Sequence, residues 1–73
     1  MMSAKEMFES LGYECSKYYD RNKIIQYYNE EETEFVFWIE EQEFSASEYG
    51  EPKNITVDEF KAVQQQMNEL GWI

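Results

Sequence analysis

The pattern of a half-buried β-strand is clearest in residues 33–40, which read Thr-Glu-Phe-Val-Phe-Trp-Ile-Glu. Aromatic and β-branched residues favour strands, and successive side chains of a strand point to opposite faces of its sheet. Phe35, Phe37 and Ile39 therefore share one face, which we assign to covering helices. The opposite face carries the residues of the other parity: Glu30, Glu32, Glu34, Val36, Trp38 and Glu40. The alternation predicts a sheet with one apolar face and one acidic face.

Three further strands are predicted around this one. Residues 13–19 and 23–29 are rich in Tyr and Ile, and the turn-forming Asp20-Arg21-Asn22 separates them. Residues 44–47 alternate as Phe-Ser-Ala-Ser, and residues 49–52, Tyr-Gly-Glu-Pro, are typical of a loop. We expect three or four antiparallel strands.

Both ends of the chain carry helix signals. Residues 3–6 and 56–59 each match the capping box, in which a Ser or Thr and a Glu three positions later satisfy each other's backbone N–H groups. Apolar residues then recur at helical spacing: Ala4, Met7, Phe8 and Leu11 in the first helix, and Phe60, Val63, Met67 and Leu70 in the second. A glycine follows each stripe, where helices commonly end. Trp72 and Ile73 are apolar enough to fold back onto the body.

The element order is helix, antiparallel sheet, helix, which predicts an α+β fold with both helices on one sheet face. A chain of 73 residues is long enough for one small core and no more. We therefore expect a single acidic domain over residues 1–73.

The charge balance narrows the choice of partners. The chain carries 16 acidic and 6 basic residues, which gives a net charge of −10. Binding a phosphate backbone needs an excess of Lys and Arg, so we expect no direct nucleic-acid ligand. A protein with a basic, nucleic-acid-binding surface is the partner that this charge favours.

The residue types that carry most catalytic and metal chemistry are scarce. The chain has no histidine and a single cysteine, Cys15, which excludes Ser–His and Cys–His pairs and a Cys-rich zinc framework. We therefore predict no enzymatic activity, no cofactor and no metal site. The absence of a disulfide framework, an apolar leader and a membrane-length apolar run predicts a cytoplasmic protein with no membrane contact.

The acidic residues are concentrated in the middle of the chain. Residues 24–52 contain nine glutamates and no basic residue. One interpretation is a solvated rim that only gives solubility, since charge runs are usually solvent-exposed faces. The other is an anionic surface that occupies a basic groove on another protein, with carboxylates displayed in rows by the sheet.

The second interpretation defines a candidate partner-binding site. Its residues are Glu30, Glu32, Glu34, Trp38, Glu40, Glu41 and Glu43. Trp38 would be an apolar anchor inside a charged rim, as in many interface hot spots. The alternative is that Trp38 packs against Tyr side chains of adjacent strands as an ordinary cross-strand cluster.

The two ends of the chain resemble a known group of proteins. Residues 4–13 read Ala-Lys-Glu-Met-Phe-Glu-Ser-Leu-Gly-Tyr, and residues 55–63 read Ile-Thr-Val-Asp-Glu-Phe-Lys-Ala-Val, with Glu-Leu-Gly-Trp at 69–72. These segments are similar to the MFExLGY opening and the IT…E…A(I/V)…Q…ELGW closing helix of small, mostly uncharacterised proteins of phages and prophages of Gram-positive bacteria. The motifs are helix caps and stripes, so no site residue is carried over from the group.

The resemblance implies a phage context, and the charge adds to it. Small acidic phage proteins, anti-CRISPR proteins among them, often bind a host protein and mimic nucleic acid. We therefore expect an inhibitor of a nucleic-acid-handling or defence protein in the bacterial host cell. The alternative is a self-associating or regulatory phage accessory protein, with a homodimer built on the exposed sheet or the Trp38 face.

Overall fold

Two capping motifs fix where the helices begin. The computed structural model describes residues 2–18, 21 and 23–73. Helix α1 (Ala4–Ser10) follows Ser3, whose Oγ accepts from the Glu6 N–H at 3.1 Å while a Glu6 carboxylate oxygen accepts from the Ser3 N–H at 2.9 Å. Helix α2 (Val57–Glu69) follows Thr56, which makes the same two bonds with Glu59 at 3.1 and 2.9 Å. Both predicted capping boxes are confirmed.

The strands form one antiparallel sheet in which neighbours in sequence are neighbours in space. Its strands, in spatial order, are β1 (Glu14–Tyr18), β2 (Ile24–Tyr28), β3 (Thr33–Trp38), β4 (Glu43–Glu48) and β5 (Glu51–Pro52). The predicted α+β class is confirmed, with one more strand than expected. Tyr19, the last residue of the first predicted strand, and Asp20 and Asn22 of the predicted turn lie outside the described residues.

The extra strand comes from a tight turn where we expected a loop. Tyr49 and Gly50 have φ values of 53° and 78°, so both lie in the left-handed region that two-residue hairpin turns require. The turn folds Glu51 and Pro52 back onto β4, where they pair with Glu48 and Ser47.

Both helices pack on the same face of the sheet, as predicted. The core cluster contains residues of both helices and of the sheet face that they cover: Phe8, Tyr13, Ile25, Tyr27, Phe35, Phe37, Ala62 and Val63. The rings of Phe8 and Tyr27 stack at 4.1 Å, which joins α1 to β2. Trp72 lies 6.3 Å from the Phe37 ring, so its predicted fold-back is confirmed. The same prediction is wrong for Ile73, which is 64% exposed.

Helix α2 buries a different stripe from the one predicted. Phe60 is 48% exposed, whereas Glu59 and Gln66 are buried beside Ala62 and Val63. Burial of a polar side chain is unfavourable unless it is hydrogen-bonded. Tyr13 and Tyr27 supply bonds to the oxygen atoms of these two side chains, whereas the Gln66 side-chain nitrogen has no partner among the described residues. Tyr27 donates from its hydroxyl to the Gln66 side-chain oxygen at 2.6 Å. The predicted stripe is therefore wrong at Phe60, while Met67 and Leu70 pack against the core as expected.

Glu59 is the centre of a buried polar network. The Tyr13 hydroxyl donates to it at 2.6 Å, and Lys53 Nζ lies 2.9 Å from both of its oxygens. Lys53 also lies 5.6 Å from the centroid of the Phe35 ring. Burial by itself raises the pKa of Glu59, but the bonds from Tyr13, Lys53 and the Thr56 N–H outweigh it and hold this pKa below its ordinary value. The network ties α2 to the start of β1 and to the segment after β5.

Candidate protein-binding face

One face of the sheet is not covered by either helix. Residues that pair across antiparallel strands point to the same face, so the registers define its three rows. These rows are Glu14–Tyr28–Glu34–Ser47, Lys17–Gln26–Val36–Ser45 and Ile24–Trp38–Glu43. We call this surface the open face.

The open face has the apolar centre that the alternation predicts. Val36 is only 8% exposed and Trp38 is half-buried, although no helix lies over them. Glu34 lies on the same face as Trp38, as expected, and Glu43 joins them there because it pairs with Trp38. The residues paired opposite Trp38 are Ile24 and Glu43 rather than tyrosines.

Three of the glutamates predicted to lie on the open face do not belong to it, because side chains alternate between faces only within the strand itself. β3 spans only Thr33–Trp38, so Glu30, Glu32 and Glu40 lie in hairpin turns. Glu40 forms an exposed salt bridge with Lys23 at 2.6 Å. Its carboxylate is therefore already paired within the chain.

The hairpins also place two groups of acidic residues at opposite ends of the sheet. Successive turns of a meander lie at alternating ends, and a six-residue strand such as β3 separates them by about 20 Å. The acidic end, as we call the first group, consists of carboxylates around Tyr28: Glu14, Glu30, Glu31, Glu32 and Glu34. The far end consists of Glu40, Glu41 and Glu43, so the predicted site residues do not form one patch.

Three residues at the acidic end could not be assigned to it from the alternation of the sequence: Glu14, Glu31 and Tyr28. Glu14 joins the acidic end because β1 pairs with β2 so that Glu14 lies opposite Tyr28. Glu31 joins it through the shape of the turn at 29–32. Tyr28 is 43% exposed and lies between these acids. A register and a turn conformation decide these positions, and neither can be read from alternation.

Asn29 fixes the turn that displays Glu30, Glu31 and Glu32. Its side-chain oxygen accepts from the backbone N–H groups of Glu31 at 3.0 Å and Thr33 at 2.9 Å. Its backbone oxygen accepts from the Glu32 N–H at 3.2 Å. An Asn side chain that bonds its own turn in this way replaces backbone bonds that would otherwise be missing. Hydrogen bonds within the chain therefore hold the backbone that carries Glu30, Glu31 and Glu32.

Replacing Asn29 with Ala is expected to lower the free energy of unfolding by about 1–2 kcal/mol, because two backbone donors lose their acceptor. Asn29→Asp keeps the acceptor and should retain most of the stability. Asn54→Ala, at an exposed position, is the matched control and should change it by less than about 0.5 kcal/mol. Urea denaturation of the three variants checks this, and equal values for Asn29→Ala and Asn54→Ala would show that the Asn29 side chain does not stabilise the turn.

Two adjoining cavities lie at the acidic end. The first, about 360 Å³, is lined by Gly12, Glu14, Tyr28, Asn29, Glu30 and Glu31. The second, about 580 Å³, contains Tyr28, Asn29 and Glu30 again, and adds Glu32, Glu34, Gln26, Ser16, Lys17 and Gly50. Gln26 donates to Glu34 at 2.6 Å, which holds that carboxylate in place. The shared residues make Tyr28 part of the wall common to both cavities.

The charge at this end is not balanced locally. Among residues 2–18, 21 and 23–73, the salt bridges are Lys23–Glu40 and Lys53–Glu59, so no acidic-end carboxylate pairs with a cation there. Among the described residues that line the two cavities, five are acidic and one, Lys17, is basic. This end of the protein therefore presents a concentrated negative field.

Other kinds of site find no support in the described part of the chain. Within it, no three side chains of the types Cys, Asp and Glu are grouped so that they could hold a metal ion. No helix in the described residues is long and apolar enough to span a membrane. Comparison of the chain with protein-family models, with curated proteins and with solved structures found no match.

Proposed function

We propose that this protein is a non-enzymatic inhibitor that binds a basic, nucleic-acid-binding surface on another protein through its acidic end. Bound there, it would exclude the nucleic acid by occupying the same groove. The resemblance of its two ends to phage and prophage proteins makes the target a nucleic-acid-handling or defence protein of the bacterial host, in the manner of anti-CRISPR proteins.

The observation that carries this proposal is the unbalanced charge of the acidic end. Its five carboxylates lie around one exposed aromatic ring, with no cation paired to them among the described residues. A concentrated field of one sign steers a partner of the opposite sign and raises its rate of association. The complementary surface is a dense cluster of Lys and Arg, which is the surface that binds phosphate backbones.

The rigidity of the turn at 29–32 supports the same proposal. Besides the Asn29 bonds, the Glu32 carbonyl accepts from the Tyr49 N–H at 3.1 Å, which ties the turn to the β4–β5 hairpin. A preorganised set of charges pays little ordering entropy when it binds.

The proposal predicts competition with nucleic acid and a steep dependence on salt. The test is to immobilise the protein, capture host proteins from a nuclease-treated bacterial lysate at low salt, and identify them by mass spectrometry. We expect a basic nucleic-acid-binding protein that high salt or added double-stranded DNA releases, because surface charges are screened and the groove is shared. Captured proteins that remain bound under both conditions would contradict it.

Exposed apolar residues on α2 favour a second candidate function, self-association. Val57 and Phe60, three positions apart on one helix face, are 70% and 48% exposed. A homodimer built on apolar burial would persist at high salt, since salt does not screen apolar contacts. Sedimentation equilibrium decides: a dimer mass at high salt supports this second function, and a monomer mass excludes it.

A further inference from the structure

Tyr49 has a backbone conformation that does not suit its side chain. It is the first residue of the two-residue turn between β4 and β5, and its φ of 53° lies in the left-handed region. Asn and Gly adopt this region readily, and Asn-Gly is a preferred pair for such a turn. A bulky aromatic residue is strained there, because its Cβ approaches the following carbonyl oxygen. Tyr49 therefore lowers the stability of a turn that Asn would suit better.

The Tyr49 side chain makes no interaction that would offset this strain. It is 69% exposed, the highest value of any aromatic residue in the described part of the chain. No hydrogen bond, ion pair or ring contact of this side chain occurs among the described residues. Tyr28, by contrast, lies within β2, where aromatic residues are favoured. The fold accounts for Tyr28 but not for Tyr49.

Tyr49 lies at the acidic end of the sheet. Its backbone N–H donates to the Glu32 carbonyl oxygen at 3.1 Å. Its neighbour Gly50 lines the second cavity of the acidic end together with Glu32 and Glu34. The strained residue is therefore part of the surface to which we assign partner binding.

The surroundings of Tyr49 are acidic on its own hairpin as well. A further cavity, about 730 Å³, is lined by Tyr49 and by Glu48 and Glu51. Lys53 also lines it, but its ammonium group forms a salt bridge with Glu59 at 2.9 Å. An exposed ring close to carboxylates suits a cationic side chain, which the ring face and the carboxylates both attract.

We propose that Tyr49 is a contact residue of the protein-binding surface, and that a cationic side chain of the basic partner packs on its ring. This role rests on the proposed function and adds to it a residue that charge alone does not identify. Residues held in an unfavourable backbone conformation are concentrated at functional sites, where stability is lost in favour of activity. Tyrosine is also among the residues enriched at interface hot spots.

Replacement of Tyr49 with Asn should change stability and affinity in opposite directions. Asn relieves the strain and creates the preferred Asn-Gly turn, so we expect the urea midpoint of unfolding to rise. The affinity for the partner should fall at least about fivefold, because the ring is lost. Tyr49→Phe keeps both the ring and the strain, so its midpoint and its affinity should both stay close to the native values.

Gln42→Asn is the matched control for the relief of strain. Gln42 is exposed, has a φ of 57° and lies in the turn between β3 and β4, at the far end of the sheet. Its replacement should raise the urea midpoint in the same direction but leave the affinity unchanged. Equal loss of affinity in the two Asn variants would assign the effect to the turns rather than to the Tyr49 ring, and would overturn the inference.

The test is a competition measurement with the full chain. The native protein is immobilised and loaded with the host protein that it captures from a nuclease-treated lysate and that DNA releases. Soluble native chain and variants then compete for this protein at low salt. Native-like competition by Tyr49→Asn, or a urea midpoint below the native value, would overturn the inference.

Failure of this inference is distinguishable from failure of the proposed function. If Tyr49→Asn competes as well as the native chain, the capture of a host protein that DNA releases still supports the proposed function. If DNA releases no protein from the native chain, the proposed function is contradicted and the role of Tyr49 is contradicted with it.

Discussion

Replacing Glu59 with Leu is expected to destabilise the protein by about 3–5 kcal/mol, a large part of the total stability of a domain this small. The substitution leaves the Lys53 ammonium group without its counter-ion, and this side chain is only 15% exposed, so water cannot fully replace the lost carboxylate. It also removes the acceptor of the Tyr13 hydroxyl and one half of the α2 capping box. Each loss is costly because a buried or partly buried donor is left without a partner.

Since Glu59→Leu is expected to leave little folded protein, Glu59→Gln provides the measurable variant. Gln keeps an oxygen acceptor but loses the charge that Lys53 needs, so we expect a loss of about 2 kcal/mol in urea denaturation. Asp58→Asn removes one charge from the exposed neighbouring position and should cost less than about 1 kcal/mol. Equal losses for Glu59→Gln and Asp58→Asn would show that the network does not stabilise the fold.

The same network gives a pH dependence with a definite sign. The pKa of Glu59 is lower in the folded state than in the unfolded chain, so the folded state binds fewer protons there. Its contribution is complete above the unfolded pKa of about 4.3 and is lost as the pH falls through the folded value. The stability difference between the native protein and Glu59→Gln should therefore shrink below about pH 4. A difference that stays constant from neutral to strongly acidic pH would contradict this assignment.

Reversing three glutamates of the acidic end should abolish binding of the partner while leaving the fold intact. Glu14, Glu30 and Glu31 are exposed and line the first cavity, so their replacement with Lys does not disturb the core. The partner's cations then meet cations, and we expect affinity to fall at least about a hundredfold, since close charge pairs across an interface are each worth about 1.5 kcal/mol or more.

A second triple variant controls for net charge. Each Glu→Lys change adds two units, so either triple moves the net charge from −10 to −4. The control reverses Glu40, Glu41 and Glu43, which are exposed and form the far end, about 20 Å from the acidic end along β3. We expect it to reduce affinity less than about fivefold, because screened charges more than a Debye length away contribute little. Thermal unfolding of both triples checks that each remains folded.

Local signals were enough to predict most of the fold. Capping boxes involve residues three positions apart, so those at Ser3 and Thr56 are visible in sequence and place both helix starts correctly. Alternation in residues 33–38 assigns Phe35 and Phe37 to the core and Trp38 to the open face. These features depend on neighbours in the chain and need no knowledge of tertiary contacts.

The errors all concern tertiary partners or turn shapes. The apolar stripe in the sequence includes Phe60, but the helix turns Glu59 inward because Tyr13 and Lys53 form hydrogen bonds with it there. Hairpin turns end the alternation beyond β3, which moves Glu40 from the open face to the turn where it pairs with Lys23. The same turns place the two groups of acidic residues at opposite ends of the sheet. The sequence therefore predicts that the candidate site is acidic, but it does not predict which glutamates lie together.

The most direct test of the acidic end as the binding surface is displacement of nucleic acid from the captured host protein. Labelled double-stranded DNA is bound to that protein at low salt and titrated with the native chain, the acidic-end triple variant and the control triple variant. Our account predicts that the native chain and the control triple release the DNA while the acidic-end triple does not. Release of the DNA by the acidic-end triple at the native concentration, or no release by the native chain, would contradict it.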